Sequence, residues 1–358
     1  MYSHTKKAVL AAAATLAFAA SAGAQEKVTF GLAQTAISPI IINYIVPSYL
    51  GYYEEEGLEV EIAPVGNNGA ILAGLDRGQL DFGVGVPSFQ LPLVAKGEPL
   101  NVVNFFEYTY PFKWAVAVKP GSDIKDLKDL KGRTIGVSGF GITDYPVGQA
   151  LIRLVGLDPE KDVEWLAVGQ GLTGGQAVTN DTVAALISFD TAFGAMEAAG
   201  IELDYLPIPD DAPMVGGLYI SATADFLAKN RDKAVGFARA VAKGELFVQN
   251  NPEAAARIFL ELYPEAAPRG ASVEDQIKAL VVPIRKRMPL FSHYDETISD
   301  FGRISPEEWE AEIGFLGLDG KIKDVTALYT NDLIDEINEF DRQAVIDAAK
   351  NFKIEAKN

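Results

Sequence analysis

A chain of 358 residues, 48% hydrophobic and 22% charged, is long enough for two globular domains with sizeable cores. It contains no cysteine, which excludes disulfides, zinc–thiolate sites and thiol nucleophiles. A formal charge of −18 makes nucleic acid and anionic lipid surfaces poor partners, but it leaves open a pocket that holds a small anion through backbone amides and one or two bases.

The first 24 residues read as a leader outside the fold. Lys6 and Lys7 form a positive start, Ala8 to Ala20 an apolar run, and Ala22-Gly23-Ala24 a cleavage site of the A-x-A kind. That run is shorter than the roughly 20 residues of a membrane-spanning helix. Cleavage after Ala24 would remove two lysines and take the charge from −18 to −20. Without a cysteine there is no lipid-modified anchor either, so the expected compartment is the Gram-negative periplasm, with a monomeric, non-inserted protein.

Residues 27–32 read as a strand, followed by the polar turn 33–39 and a helix from Ile40 to about Tyr53. Gly57 stops that helix, and Leu58 to Val65 alternates as a strand. Ile71, Leu72 and Leu75 recur at helical spacing, Asp76-Arg77-Gly78 ends the helix, and Leu80 to Val86 is a short buried strand broken by Pro87-Ser88. Another helix precedes strands at 100–106 and 114–118. Single helices between strands imply βαβ units and a parallel sheet.

After Lys119-Pro120-Gly121 the pattern restarts, with strands at 134–137, 163–168, 183–189 and 203–208 separated by helices. Residues 216–221 read as a strand returning to the first sheet, and the remainder is mostly helical. One domain interrupted by another predicts a clamshell, with crossings near 116–119 and 206–213. The expected division is 25–117 and 208–358 for the first lobe and 118–207 for the second. Strand-end turns of both sheets would meet in the cleft between the lobes.

The segments GLAQTAISPI, GYYEEEGLEVEI, GAILAGLDRGQLDFGVG, DLKDLKGRTIGVSGFG and AALISFDTAFGAMEAAG, spread over residues 28–250, carry a resemblance. Together they resemble the periplasmic substrate-binding proteins of the nitrate/taurine/alkanesulfonate ABC importers, a family that also includes binders of thiamine precursors and aromatic carboxylates. The resemblance implies an α/β, two-lobed type II periplasmic-binding-protein fold and a transport receptor that serves an ABC permease and its ATPase. It implies no catalysis and no cofactor.

Candidate ligand contacts follow from position. The turn of Ser138, Phe140, Gly141 and Thr143 follows a strand and opens a helix, so its amides and hydroxyls form an expected anion site; a tight turn with Thr143 as a helix cap is the alternative. Gln34, Thr35 and Ser38 form the matching turn in the first lobe, Pro87, Ser88 and Phe89 the one after the buried strand, and Asn68 sits at a helix start. Asp190 stands where the family places a polar residue toward the cleft, although helix capping explains it equally well. Tyr110 and Trp114, with Tyr108 and Phe112, suggest an aromatic wall, which favours an aryl acid over nitrate; hinge packing is the alternative. A small organic anion is the expected ligand, with a thiamine-type pyrimidine or a sensory role as alternatives.

Gly169-Gln170-Gly171-Leu172-Thr173-Gly174 satisfies the dinucleotide pattern G-x-G-x-x-G, but in an exported chain it reads better as a cleft turn with Gln170 as a contact. His293 is the one histidine after residue 24, and no G-x-S-x-G occurs, so triads and histidine metal sites lack their parts.

Overall fold

The computed structural model describes residues 25–210, 212–266 and 270–353. The expected leader lies outside the described residues.

Among the described residues, ten strands form two five-stranded sheets. The first contains β1 (Glu26–Leu32), β2 (Leu58–Pro64), β3 (Phe82–Gly85), β4 (Val103–Thr109) and β10 (Leu218–Ala222), in the order β2-β1-β3-β10-β4. The second contains β5 (Trp114–Val118), β6 (Thr134–Val137), β7 (Glu164–Ala167), β8 (Ala185–Phe189) and β9 (Asp204–Tyr205), in the order β7-β6-β8-β5-β9. In each sheet three parallel strands come first and a strand from the far side of a crossing is inserted antiparallel: β10 against β3, and β5 against β8. The sheets are therefore mixed rather than purely parallel, because the chain enters each lobe from the other.

β5 pairs with β8 along its whole length, which puts Trp114–Val118 in the second lobe. The first crossing is thus Tyr110–Lys113, earlier than residues 116–119. The second runs from Leu206 to Gly217. At its end Gly216 holds a φ of +92°, and a Cβ there would overlap the Trp114 ring, so the second crossing packs on the start of β5 through a position only glycine can fill.

The first lobe is centred on stacked aromatics. Phe237 lies against Phe82 with ring centres 4.6 Å apart and against Tyr53 at 5.5 Å, while Phe30 stacks on Tyr44 at 4.4 Å. Most of the C-terminal helices pack here, and Ile277, Leu280, Val281 and Ile284 of the helix Val273–Arg287 belong to this core. The second lobe has its own core, which includes Trp114, Val116, Ile135, Val147, Leu151 and Ile187. Among the described residues no helix is long and apolar enough to cross a membrane.

Candidate functional site

The carboxyl ends of the parallel strands β1, β2 and β3 face those of β6, β7 and β8, and the turns that leave them enclose two adjoining chambers. The inner one, about 80 Å³, is lined by Gln34, Asn68, Tyr108, Lys113, Thr143 and Arg287 among others. The outer one, about 600 Å³, opens beyond it. The two share Gln34, Ile40, Gln170 and Phe189.

Local sequence explains the first lobe's contribution. After β1 the turn is held by Ser38 donating to the Gln34 side-chain oxygen at 3.2 Å, and Pro39 starts the short turn that leads into the next helix. Asn67 caps the helix Asn68–Asp76 by accepting the Ala70 N–H at 2.9 Å. Capping is therefore done by Asn67, and Asn68 is free to face the chamber. Asn68 is 5% exposed and its Oδ1 has no hydrogen-bond partner, a state a bound donor would relieve.

The floor carries two cations. Arg287, 1% exposed, gives Nε and Nη2 to the two oxygens of Asp190 at 2.6 Å each, and Nη1 to Thr109 Oγ1 at 3.2 Å. Burial opposes its charge, but Asp190 and the nearby tyrosines outweigh that and keep it protonated. Lys113 lies in the first crossing, donates to the Gly216 carbonyl of the second, and has its Nζ 3.6 Å from the centre of the Trp114 ring. Burial, with Arg287 nearby, brings Lys113 down to about 7. Behind it Glu312 accepts the Gly216 N–H at 2.7 Å, and burial pushes its carboxyl up to about 7.

Gln34, Thr35, Ser38, Asn68, Thr143 and Gln170, all singled out from sequence, line the chambers. Others do not. The Asp144 carboxylate accepts the Ser138 N–H at 2.7 Å, so the chain's own acid stands where a ligand anion was expected. Phe140 is 56% exposed against Tyr145, and Gly141 is exposed beside it. Thr143 makes no capping bond. Pro87 and Ser88 begin a helix with their side chains buried, and Phe89 packs against the first core. Tyr110 packs on His293 at 4.8 Å, and Trp114 is interior to the second lobe. Of the aromatic cluster, Tyr108 reaches the inner chamber; the aromatic wall of the cleft is Phe189. Asp190 opens its helix without capping it, because Arg287 takes its carboxylate.

Lys113, Arg287, Phe189 and Thr191 escaped the sequence reading. The first two are charged residues on apolar elements, Lys113 beside WAVAV and Arg287 on the buried face of an amphipathic helix, and that mismatch was the available signal.

A family model described as NMT1/THI5 like matches residues 38–255, more than half of the chain. The chain belongs to the NMT1/THI5-like family. This family member is 26% identical over 245 residues to a 4-amino-5-hydroxymethyl-2-methylpyrimidine phosphate synthase of Schizosaccharomyces pombe, covering 63% of this chain and 66% of that one. It is 25% identical over 296 residues, 81% of each chain, to the riboflavin-binding protein RibY of Chloroflexus aurantiacus. Among solved structures, the alkanesulfonate-binding protein SsuA from Xanthomonas axonopodis pv. citri bound to MOPS superimposes with a TM-score of 0.63 at 12% identity, over 85% of this chain and 98% of that one. At that identity the likeness establishes the fold, which is that of the periplasmic binding proteins of ABC importers. The relatives of this chain thus include proteins named as binding proteins and proteins named as synthases.

Proposed function

We propose that this chain is the exported, periplasmic receptor of an ABC importer, without catalytic activity, and that it captures a small organic acid between its lobes for delivery to a permease and its ATPase. The observation that carries this reading is the meeting of six parallel strand ends around an inner chamber lined by two basic side chains, Lys113 and Arg287, and by no carboxylate, the acids Asp190, Glu107 and Glu312 lying behind them. An acidic group on the ligand would sit on that floor, within reach of the Asn68, Gln34 and Gln170 amides and the Thr143 hydroxyl. The outer chamber, at about 600 Å³, fits an organic body and is wasted on nitrate. Closure follows from binding, because a ligand that bridges both lobes favours the closed form by its differential affinity for it.

A planar nitrogen heterocycle is the second reading. It is favoured by the unpartnered Oδ1 of Asn68, an acceptor suited to a ring N–H or amine, and by relatives named for pyrimidine synthesis and riboflavin binding.

The test is a thermal-shift and calorimetric panel of benzoates, aryl and alkyl sulfonates, pyrimidines, riboflavin and nitrate. An aryl carboxylate or sulfonate should bind, and Arg287→Met should abolish its binding. Stabilisation by pyrimidines or flavins alone would select the second reading, and turnover of any bound compound would overturn the receptor.

A further inference from the structure

The outer chamber is deeper than a small acid requires. Its far wall is built from two helices of opposite lobes: Ala192, Ala195 and Ala198 on Asp190–Ala198, facing Ala279, Leu280 and Pro283 on Val273–Arg287. The helices touch where Gly194 meets Pro283, with a Cβ built on Gly194 falling 2.6 Å from Pro283 Cα. That contact fixes their separation, and the alanines beside it leave the space open. A second observation points to an occupant. Thr191, on the same helix, lines this chamber at 4% exposure, and its hydroxyl has no hydrogen-bond partner among the described residues. A buried hydroxyl left in that state is destabilising unless something bound supplies the partner.

We propose that this chamber is a subsite for an apolar arm of the ligand, an alkyl chain or a second ring, whose first polar atom meets Thr191. The ligand is then an amphiphilic organic acid. The inference rests on the receptor reading above, with the acidic head in the inner chamber.

The test uses 4-ethyl-, 4-butyl- and 4-hexylbenzoate, with dissociation constants from calorimetry on the native chain and on Ala195→Phe and Ala279→Phe. On the native chain affinity should rise about fourfold per methylene. In both variants the dependence on chain length should flatten. That slope is compared within each protein, so a general loss of affinity cancels from it. A flat series on a native chain that binds the ethyl compound overturns the subsite and leaves the receptor standing, as does a slope that survives both substitutions. Failure of every member to bind overturns the organic-acid reading and the subsite with it.

Discussion

Asp190 and Arg287, 97 positions apart, meet in a bidentate pair with both contacts at 2.6 Å, and the pair joins the two lobes. Asp190 begins a helix of the second lobe, and Arg287 ends one rooted in the core of the first. Removing one member leaves a buried charge uncompensated, which typically costs about 3 to 5 kcal/mol. Asp190→Asn is therefore expected to lower stability by that amount in urea unfolding. The double replacement Asp190→Leu/Arg287→Met should recover most of it, since two apolar groups leave no charge stranded. A single variant that unfolds like the native chain would show the pair to be superficial.

Under the organic-acid reading proposed above, Lys113 makes binding depend on pH. Burial has brought its ammonium down to about 7, and Glu312 behind it has been raised to about 7. A bound anion stabilises the protonated lysine, so binding at neutral pH should take up protons. Affinity for an anionic ligand should be level below pH 6 and fall by up to tenfold per unit above pH 7. Titrations in buffers of different ionisation enthalpy measure the uptake, and Lys113→Met should remove it. A level profile across that range would take the lysine out of the site.

Asp144 governs stability in mild acid. Burial raises its carboxyl from 3.8 to about 6, against the hydrogen bonds from Ser138 that favour its charge. A raised folded value means the folded state holds more protons between pH 4 and 6, so its contribution is complete below 4 and is lost as the pH climbs through 6. Asp144→Asn keeps an acceptor for the Ser138 N–H and does not ionise. Its stability relative to the native chain should increase by about 2 kcal/mol from pH 4 to pH 7, read by denaturant unfolding at fixed pH. A constant difference across that interval would mean the carboxyl titrates normally.

Thr191→Val keeps the shape of the side chain and deletes a hydroxyl with no partner among the described residues. The ligand-free protein should gain about 1 kcal/mol in unfolding stability. A loss of stability would reveal a hydrogen bond to the native hydroxyl.

The architecture was legible because the hydrophobic pattern changes period at each element and begins again after Pro120. The restart separates two sheets, and the return near Gly216 closes the first. The position of the first crossing was not legible: Trp114-Ala-Val-Ala-Val is a buried strand in either lobe, and only pairing with β8 decides between them. In the site, the Gln34–Ser38 turn, Asn68 and Gln170 line the chambers, and that placement was legible because a position at a strand end suffices to face them there. The anion turn failed because Asp144, six residues from Ser138, competes for the same amide. Arg287 was out of reach for a different reason, since its role is defined by a partner that only the tertiary fold brings near.

The helix Val273–Arg287 has a mechanical consequence. It holds its neighbour on the other lobe at both ends, through Arg287 to Asp190 and through Lys286 to Glu197 at 2.9 Å, with Gly194 seated on Pro283 between them. A jaw fastened along one flank as well as at its back cannot swing symmetrically. It must gape at the opposite flank, or else release that seam.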